Sequence, residues 1–247
     1  MTEATTPLVR LDQVRKEFGA VVALERATLD INPGEIVALV GDNGAGKSTL
    51  IKLIAGVHQP TSGQIIVGGE AVRLARPTDS RRHGIEVVFQ DLALADQQPV
   101  YMNLFLGREL VRGPLRRLDR SAMAAETGKL LDELEIRLPS PRAAIRDLSG
   151  GQRQGVAIAR ATHWAQRLVL MDEPTAALGV QETSRVEGII RRMRERGRAI
   201  LIVSHSLDQV FRISDRICVL RRGQQVGIKN TNETSGDEIV SMITGLR

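Results

Sequence analysis

The residues best suited to chemistry form one short glycine-rich run. In chain order it reads Gly41, Asp42, Asn43, Gly44, Ala45, Gly46, Lys47, Ser48 and Thr49. The three glycines allow the backbone to curl so that several N–H groups point at one anion. Lys47 supplies a compact cation for the outer phosphates of a nucleotide, and the Ser48 hydroxyl supplies an oxygen ligand for magnesium. The run therefore predicts a phosphate-binding loop.

The residues on either side of the run support this prediction. Residues 36–40 are all apolar and predict a buried strand, whereas residues 50–54 have apolar side chains at helical spacing and Gly56 ends that helix. A strand, a glycine loop and a helix in this order form the context that a phosphate loop requires. The alternative is a glycine-rich turn that happens to precede a helix. The pattern G-x4-G-K-S/T arises by chance in roughly one chain of this length in a hundred.

Two adjacent carboxylates follow another apolar segment. Residues 168–171 predict a buried strand, and Asp172 and Glu173 come directly after them. Because core strands deliver polar side chains to the edge of an α/β sheet where ligands bind, Asp172 is placed to hold magnesium through water. Glu173 is placed to orient or deprotonate a water that attacks a γ-phosphate. The alternative is a strand that runs into an ordinary surface turn.

Three further residues have both a functional and a structural interpretation, and their types alone leave both open. Gln90 ends the predicted strand 85–90, where its carbonyl oxygen could complete a magnesium shell. His205 follows the predicted strand 199–203 and could hydrogen-bond a γ-phosphate, although a lone histidine is more often structural. Phe18, predicted to lie in a loop, could stack on a nucleotide base or pack within its own subdomain.

A second helix start also has the features of an anion site. Residues 148–152 include Ser149, Gly150, Gly151 and Gln152, and they open a helix that runs to about Trp164. Ser149 and Gln152 have capping-box spacing, so a well-capped helix is the modest interpretation. The stronger interpretation is that two glycines and a hydroxyl offer bare N–H groups to a phosphate.

The composition narrows the class of protein. The 247 residues carry 34 Lys and Arg against 29 Asp and Glu, which gives a net charge of +5 and raises nucleic acid or an anionic membrane as partners. With only 2% aromatic residues, stacking on exposed bases is disfavoured, and the basic clusters at 108–120 and 191–198 are expected to be solvated helix faces. A single cysteine, Cys218, and the lack of a signal sequence or a long apolar run predict a cytosolic protein.

The pattern of segments predicts an α/β protein. Short strands and a hairpin at 8–35 and 64–69 predict a small antiparallel layer, and residues 91–147, with a helix over 120–134, predict a helical insertion. A helix over 181–196, strands over 216–220 and 224–228 and a terminal helix over 236–245 complete the chain.

Together these residues resemble the ATP-binding subunit of ABC transporters over nearly the whole chain. Residues 41–49 are similar to the Walker A loop of that family, 168–173 to its Walker B strand, and 148–152 to its LSGGQ signature. The resemblance implies a RecA-like P-loop NTPase fold with a mostly parallel sheet, an antiparallel β subdomain and an inserted α-helical subdomain. Residues 1–90 and 165–247 would form the nucleotide-binding core of one domain, and 91–164 the helical subdomain.

The same resemblance assigns roles to single residues. Gln90 falls on the Q-loop, His205 on the switch histidine, and Phe18 on the aromatic that stacks against adenine. ATP and Mg²⁺ are the implied cofactors, with Glu173, His205 and Lys47 as the catalytic residues. Family members dimerise head to tail, so that each ATP lies between the Walker A loop of one subunit and the signature of the other. A homodimer, or a pair with a similar chain, is therefore expected.

One position departs from the family pattern. The family's Ser-Ala-Leu-Asp is replaced by Ala176, Ala177, Leu178 and Gly179, so the aspartate that helps to couple the two sites is a glycine here. Residues 103–109 and 173–182 resemble the monosaccharide-uptake branch of bacterial importers. That branch implies a membrane permease, on which residues 91–110 would dock at the cytosolic face, and a separate sugar-binding protein. A soluble ABC-type ATPase in cofactor assembly or nucleic-acid work is the alternative, and a small-molecule kinase is a third.

Overall fold

The computed structural model describes residues 6–176 and 178–245, which form twelve strands and eight α-helices. The strands are Val9–Phe18 (β1), Val21–Ile31 (β2), Ile36–Val40 (β3), Ser62–Val67 (β4), Glu70–Val72 (β5), Ile85–Val88 (β6), Val111–Arg112 (β7), Arg117–Leu118 (β8), Leu168–Asp172 (β9), Ala199–Val203 (β10), Arg216–Arg221 (β11) and Gln224–Asn230 (β12). The helices are Lys47–Ile54 (α1), Pro77–Arg82 (α2), Val100–Leu104 (α3), Arg120–Glu133 (α4), Gly150–Trp164 (α5), Val180–Glu195 (α6), Leu207–Ile213 (α7) and Gly236–Thr244 (α8).

The main sheet has six strands in the order β12-β11-β3-β10-β9-β6. All neighbouring pairs are parallel except β11 and β12. Strands β3 and β10 are buried at every position, because a sheet with both faces covered leaves no side of a central strand to water. The carboxyl ends of β3, β10, β9 and β6 therefore lie at one edge, and the mostly parallel α/β sheet is confirmed.

Two hydrophobic cores lie on opposite faces of this sheet, and β3 contributes to both. Ile36, Ala38 and Val40 belong to the core on the side of the helices α3 to α7, whereas Val37 and Leu39 belong to the core that includes α1 and β1, β2 and β4. This division follows from the period of two along a strand. The second core is closed by an antiparallel sheet in the order β2-β1-β4-β5, as the sequence predicted.

The basic segment 108–120 differs from its prediction. It was expected to be a solvated helix face, but β7 and β8 form a hairpin there, and α4 begins only at Arg120. The cause is local: Gly113, with φ +68°, and Pro114 favour a turn over a helix, and the Asp119 carboxylate caps α4 by accepting from the Ala122 N–H at 3.0 Å. The residues before it contain the short helix α3, in keeping with the predicted helical insertion.

Other elements agree with the sequence patterns. The helices over 120–134, 150–164, 181–196 and 236–245 are present as α4, α5, α6 and α8 within one or two residues at each end. Cys218 is buried in β11, where burial raises the pKa of its thiol to about 12. Helices α2 and α7 were not predicted, because six or seven residues are too few to show a helical period. In the described ranges every helix is too short or too polar to span a lipid bilayer.

We expect the contact between α3 and α5 to contribute strongly to stability. Phe105 is fully buried, and its ring centroid lies 5.2 Å from that of His163 and 5.8 Å from that of Trp164. Phe105→Ala should lower the free energy of unfolding by about 3–5 kcal/mol. The neighbouring Leu106 is 53% exposed, so Leu106→Ala should change it by no more than about 0.5 kcal/mol. Urea unfolding of both variants tests this, and equal losses would contradict it.

His163 should make stability depend on pH. Burial lowers the pKa of this histidine, against the opposing effect of Glu126, whose carboxylate lies 3.4 Å away. Because the folded-state pKa lies below the unfolded value of about 6.5, the unfolded state binds the proton more readily, and stability is lost as the pH falls below about 6.5. His163→Gln should lose less stability than wild type as the pH falls below about 6.5. Urea unfolding midpoints of the two proteins should change differently between a pH above and a pH below this value, and parallel curves would refute the assignment.

Candidate nucleotide-binding site

The predicted phosphate loop lies between the carboxyl end of β3 and the first turn of α1. Lys47 is the first residue of α1 and is only 6% exposed. Its ammonium donates to the carbonyl oxygens of Gly41 at 2.6 Å and Asp42 at 2.9 Å. Burial lowers the pKa of Lys47, whereas the nearby charges of Glu173, Asp42 and Asp172 raise it. In the described structure, the hydrogen-bond acceptors of this buried cation are neutral carbonyl oxygens. A phosphate would supply the negative charge that they do not.

The residues predicted to hold magnesium are partly brought together. Asp172 ends β9, and Ser48, the second residue of α1, is close enough to act on the pKa of its carboxyl group. Burial, and secondarily the charge of Glu173, raise the pKa of Asp172, while Ser48, Lys52 and Lys47 act in the opposite direction. A carboxylate destabilised in this way and a hydroxyl beside it are hard oxygen donors that suit Mg²⁺. The residues present therefore fit the ion.

Gln90 lies two residues beyond the end of β6, not at the end of the strand as predicted. It is exposed, and the loop that follows it is fixed from α5: the Arg160 guanidinium donates to the carbonyl oxygens of Leu92 at 2.8 Å and Ala93 at 2.9 Å. Since β6 pairs with β9, Gln90 follows the strand beside the one that ends in Asp172. Arg160 was missed in the sequence, where it is one arginine among many.

Glu173 and His205 meet at the same edge. His205 Nε2 lies 2.7 Å from Glu173 Oε1. The adjacent parallel strands β9 and β10 end in register, with Asp172 opposite Val203. Glu173 directly follows β9 and His205 lies two residues after β10, so the two side chains meet at this edge. Glu173 has φ +52°, a conformation that is costly for a residue with a side chain and that is found at functional sites.

A buried amide that the sequence did not reveal supports this edge. Gln209, on α7, is 1% exposed, and its Oε1 accepts from Ser204 Oγ at 2.8 Å and from Thr175 Oγ1 at 3.1 Å. The two hydroxyl residues follow β10 and Glu173 respectively. Gln209 thus links the segments that carry His205 and Glu173. A polar residue on the buried face of a helix was the only signal for it, and α7 was not predicted.

The second candidate anion site is a capped helix start, as predicted from the spacing. The Gln152 N–H donates to Ser149 Oγ at 3.2 Å, and the Ser149 N–H donates to Gln152 Oε1 at 2.9 Å. Ser149 and Gly150 are exposed. Among the described residues no hydrogen bond or ion pair joins 148–152 to the phosphate loop. Within the described part of one chain no hydrogen bond or ion pair therefore connects the two helix starts.

Phe18 does not lie in a loop. It ends β1 and pairs with Val21 across a two-residue turn. Its ring is 44% exposed and makes an edge contact with His58, whose centroid lies 5.0 Å away, while Lys16 Nζ lies 4.9 Å from its centroid. The loop prediction was wrong because the turn is so short that the strand continues to its edge. Base stacking by the exposed part of the ring stays a prediction.

Gly179, the departure from the family pattern, lies directly before α6. Ala177 lies outside the described residues. Gly179 precedes α6, and its N–H donates to Glu182 Oε2 at 3.0 Å, so a side chain from the first turn caps the helix start. A glycine supplies no carboxylate at this position.

A phosphate loop at the carboxyl edge of a mostly parallel sheet, with an acidic pair on a nearby strand, defines the class of P-loop NTPases. The sequence model of the ABC transporter family matches residues 24–176, and this chain belongs to that family. It is an ATP-hydrolysing cassette.

Two curated relatives match this chain over nearly their whole length, and a third matches it over about half of its length. The chain is 45% identical to the xylose/arabinose import ATP-binding protein XylG of Sulfolobus acidocaldarius, covering 96% of this chain and 94% of that protein. It is 41% identical to the fructose import ATP-binding protein FrcA of Rhizobium meliloti, covering 99% and 96%. Identity to the ribose import ATP-binding protein RbsA 2 of Escherichia coli O157:H7 is 39%, over 98% of this chain but 47% of that protein.

A solved structure gives the same result for the fold. MJ1267, an ATP-binding cassette of an ABC transporter, in its ADP conformation superposes with a TM-score of 0.83 at 25% identity, over 98% of this chain and 96% of that one. The P-loop NTPase fold predicted from the sequence is confirmed.

The phosphate loop provides a matched pair of glycine substitutions. A Cβ at Gly41 would lie 2.1 Å from the Leu220 carbonyl oxygen, a backbone atom that cannot move aside, whereas a Cβ at Gly44 meets nothing within 4 Å. Both residues have positive φ, so Gly44→Ala should cost roughly 1–2 kcal/mol of stability from conformation alone. Gly41→Ala should cost at least about 2 kcal/mol more, because it adds overpacking. Denaturant unfolding of the nucleotide-free variants measures the difference, and equal costs would mean that the Leu220 contact is wrong.

Proposed function

We propose that the chain is the ATP-hydrolysing subunit of an importer for a simple sugar. The site observation that carries the enzymatic part is the 2.7 Å contact of His205 with Glu173, the residue directly after Asp172. The sugar part is supported by relatives named for xylose, arabinose, fructose and ribose import. In the importers that the sequence resembles, a separate binding protein and a permease select the sugar.

The residues divide the reaction between binding and proton transfer. Lys47 exchanges its two carbonyl acceptors for the outer phosphates of ATP, and the N–H groups of residues 41–49 surround them. Ser48, Asp172 and Gln90 would hold Mg²⁺, which neutralises charge on the phosphates. Glu173 orients a water and accepts its proton as the water attacks the γ-phosphate. His205 holds the Glu173 carboxylate at 2.7 Å in the starting state and is free to donate to the γ-phosphate when ATP is bound.

The exposed signature segment supports a two-subunit site. In one chain no hydrogen bond or ion pair joins residues 148–152 to the phosphate loop among the described residues, and the exposed Ser149 and Gly150 begin a helix whose first N–H groups can bind an anion. A second copy of the chain would place them on its partner's ATP. Several charge-assisted hydrogen bonds of roughly 1.5–3 kcal/mol each can offset an association cost of about 4–15 kcal/mol.

A groove beside Gln90 supports the docking of a permease. It has a volume of about 240 Å³ and lies among α2, β6, the loop at Ala93, α3 and α5. Phe89, Leu104 and Trp164 supply apolar lining, and Glu86 bonds Arg108 at 2.6 Å at its wall. A cytoplasmic helix of the permease would sense ATP binding here, because Arg160 connects the groove to the loop after Gln90. A permease docked in this groove would hold the subunit at the cytosolic face of the cell membrane.

Replacing Glu173 tests the catalytic assignment and the two-subunit site together. Glu173→Gln should slow phosphate release by about 10²–10⁴-fold, because the general base is lost while the binding groups remain. With ATP and Mg²⁺ the variant should accumulate as a nucleotide-loaded dimer, as measured by light scattering. A variant that hydrolyses ATP at the normal rate, or that remains monomeric under these conditions, would contradict the proposal.

Lys47→Ala is the matched control, since it should weaken ATP binding and so prevent the dimer even when Glu173 is also replaced.

The importer role requires a separate measurement. The chain should co-purify with a permease, and sugar uptake by the reconstituted complex should stop with Glu173→Gln. If the complex takes up none of the tested pentoses and hexoses when ATP is supplied, sugar import is rejected and the ATPase assignment is unaffected.

A further inference from the structure

Residues 111–118 form a hairpin that projects from the protein, here named the basic hairpin. Its strands β7 and β8 form a separate two-stranded sheet, and each residue of the segment is exposed. The Asp119 N–H closes its base by donating to the Leu110 carbonyl oxygen at 2.8 Å. Two strands of two residues cannot bury a core. The exposed side chains of the basic hairpin therefore do not serve the packing of the chain that presents them.

Three apolar side chains of the basic hairpin are exposed to water. Leu115, in the turn, is 74% exposed, Val111 is 42% exposed and Leu118 is 38% exposed. A single exposed apolar residue is ordinary, but three within eight residues on one projecting element indicate a surface that another phase or molecule covers.

The charged side chains within the basic hairpin are all arginines. Arg112, Arg116 and Arg117 lie in the basic hairpin and Arg120 opens α4, and all four are exposed. None of them forms an ion pair in the part of the chain that the structure describes, whereas Arg108, just before the hairpin, pairs with Glu86 at 2.6 Å. These four charges are thus available to an external anion, and their fork-shaped groups suit phosphates.

We propose that the basic hairpin binds the anionic lipid surface of the membrane. Apolar side chains at a turn, flanked by arginines, match a headgroup layer, into which the leucine inserts while the guanidinium groups contact lipid phosphates. Residues 106–120 contain no aromatic side chain, which disfavours single-stranded nucleic acid.

Position along the chain favours the membrane as well. Leu106 and Arg108 line the groove assigned above to the permease, and the basic hairpin begins three residues later. To this extent the inference rests on the proposed function, since a permease in that groove would hold the hairpin beside the bilayer. Lipid binding itself needs no permease, so it is tested separately.

The test is flotation of the full chain with vesicles of phosphatidylcholine and phosphatidylglycerol in a two-to-one ratio, against vesicles of phosphatidylcholine alone. Wild type should float with the anionic vesicles only, and less at higher salt. Arg116→Gln with Arg117→Gln should weaken binding by about fivefold for each arginine. Leu115→Ser should weaken it at every salt concentration.

The matched control is Arg26→Gln with Arg185→Gln, which removes the same charge from two exposed arginines in β2 and α6. It should float as wild type does, and all variants should retain wild-type ATPase activity in the absence of a permease.

Equal flotation with neutral vesicles, or equal losses for the two arginine pairs, would overturn the proposal. The proposal would also fail if Arg116→Gln with Arg117→Gln floats normally but no longer co-purifies with the permease, because the basic hairpin would then contact protein. Failure of Glu173→Gln to trap a dimer would instead count against the proposed function and leave these outcomes unaffected.

Discussion

The site depends on charges that are buried next to one another at the carboxyl edge of the main sheet. Lys47 is almost fully buried, and the acids Asp172 and Glu173 lie within its electrostatic reach. Burial lowers the pKa of the lysine and raises that of Asp172, so both charged forms are destabilised by loss of water. In the function we propose, a triphosphate beside the lysine and a divalent cation beside the acids would relieve both penalties at once. Burial of these charged groups would therefore favour binding of the nucleotide and the cation together.

Burial of this kind requires a sheet covered on both faces, and the alternation along β3 provides it. Side chains of one strand enter two cores, so the phosphate loop is anchored by packing on either side of the sheet. The same rigidity supports the positive φ of Glu173, because Gln209 ties together the segments that carry Glu173 and His205. Strain at a catalytic residue persists only where its surroundings determine the conformation.

The single chain presents surfaces whose partners lie outside it. The signature segment 148–152 offers N–H groups that no described residue of the phosphate loop contacts, the groove at Phe89 is lined by apolar side chains, and the basic hairpin exposes apolar and basic groups together. Their chemistry differs: the first suits a phosphate, the second a helix and the third a lipid surface. A subunit that converts ATP binding into movement of a permease needs the first two, and the third would hold it at the membrane.

The sequence by itself determined the phosphate loop, the acidic pair, the capped signature helix and the main strands, because each depends on neighbours within about ten residues. Spacing, apolar period and capping are local properties that a sequence shows directly. Only the tertiary structure revealed that Phe18 ends a strand beside His58 and that Arg160 and Gln209 hold the loops of the site. Arg160 hydrogen-bonds a residue 68 positions away and Gln209 one 34 positions away, and Phe18 pairs with Val21 across a turn. No local pattern in the sequence marks these contacts. For the hairpin, the arginines predicted a helix face, whereas the Gly113–Pro114 turn and the cap at Asp119 decided the backbone.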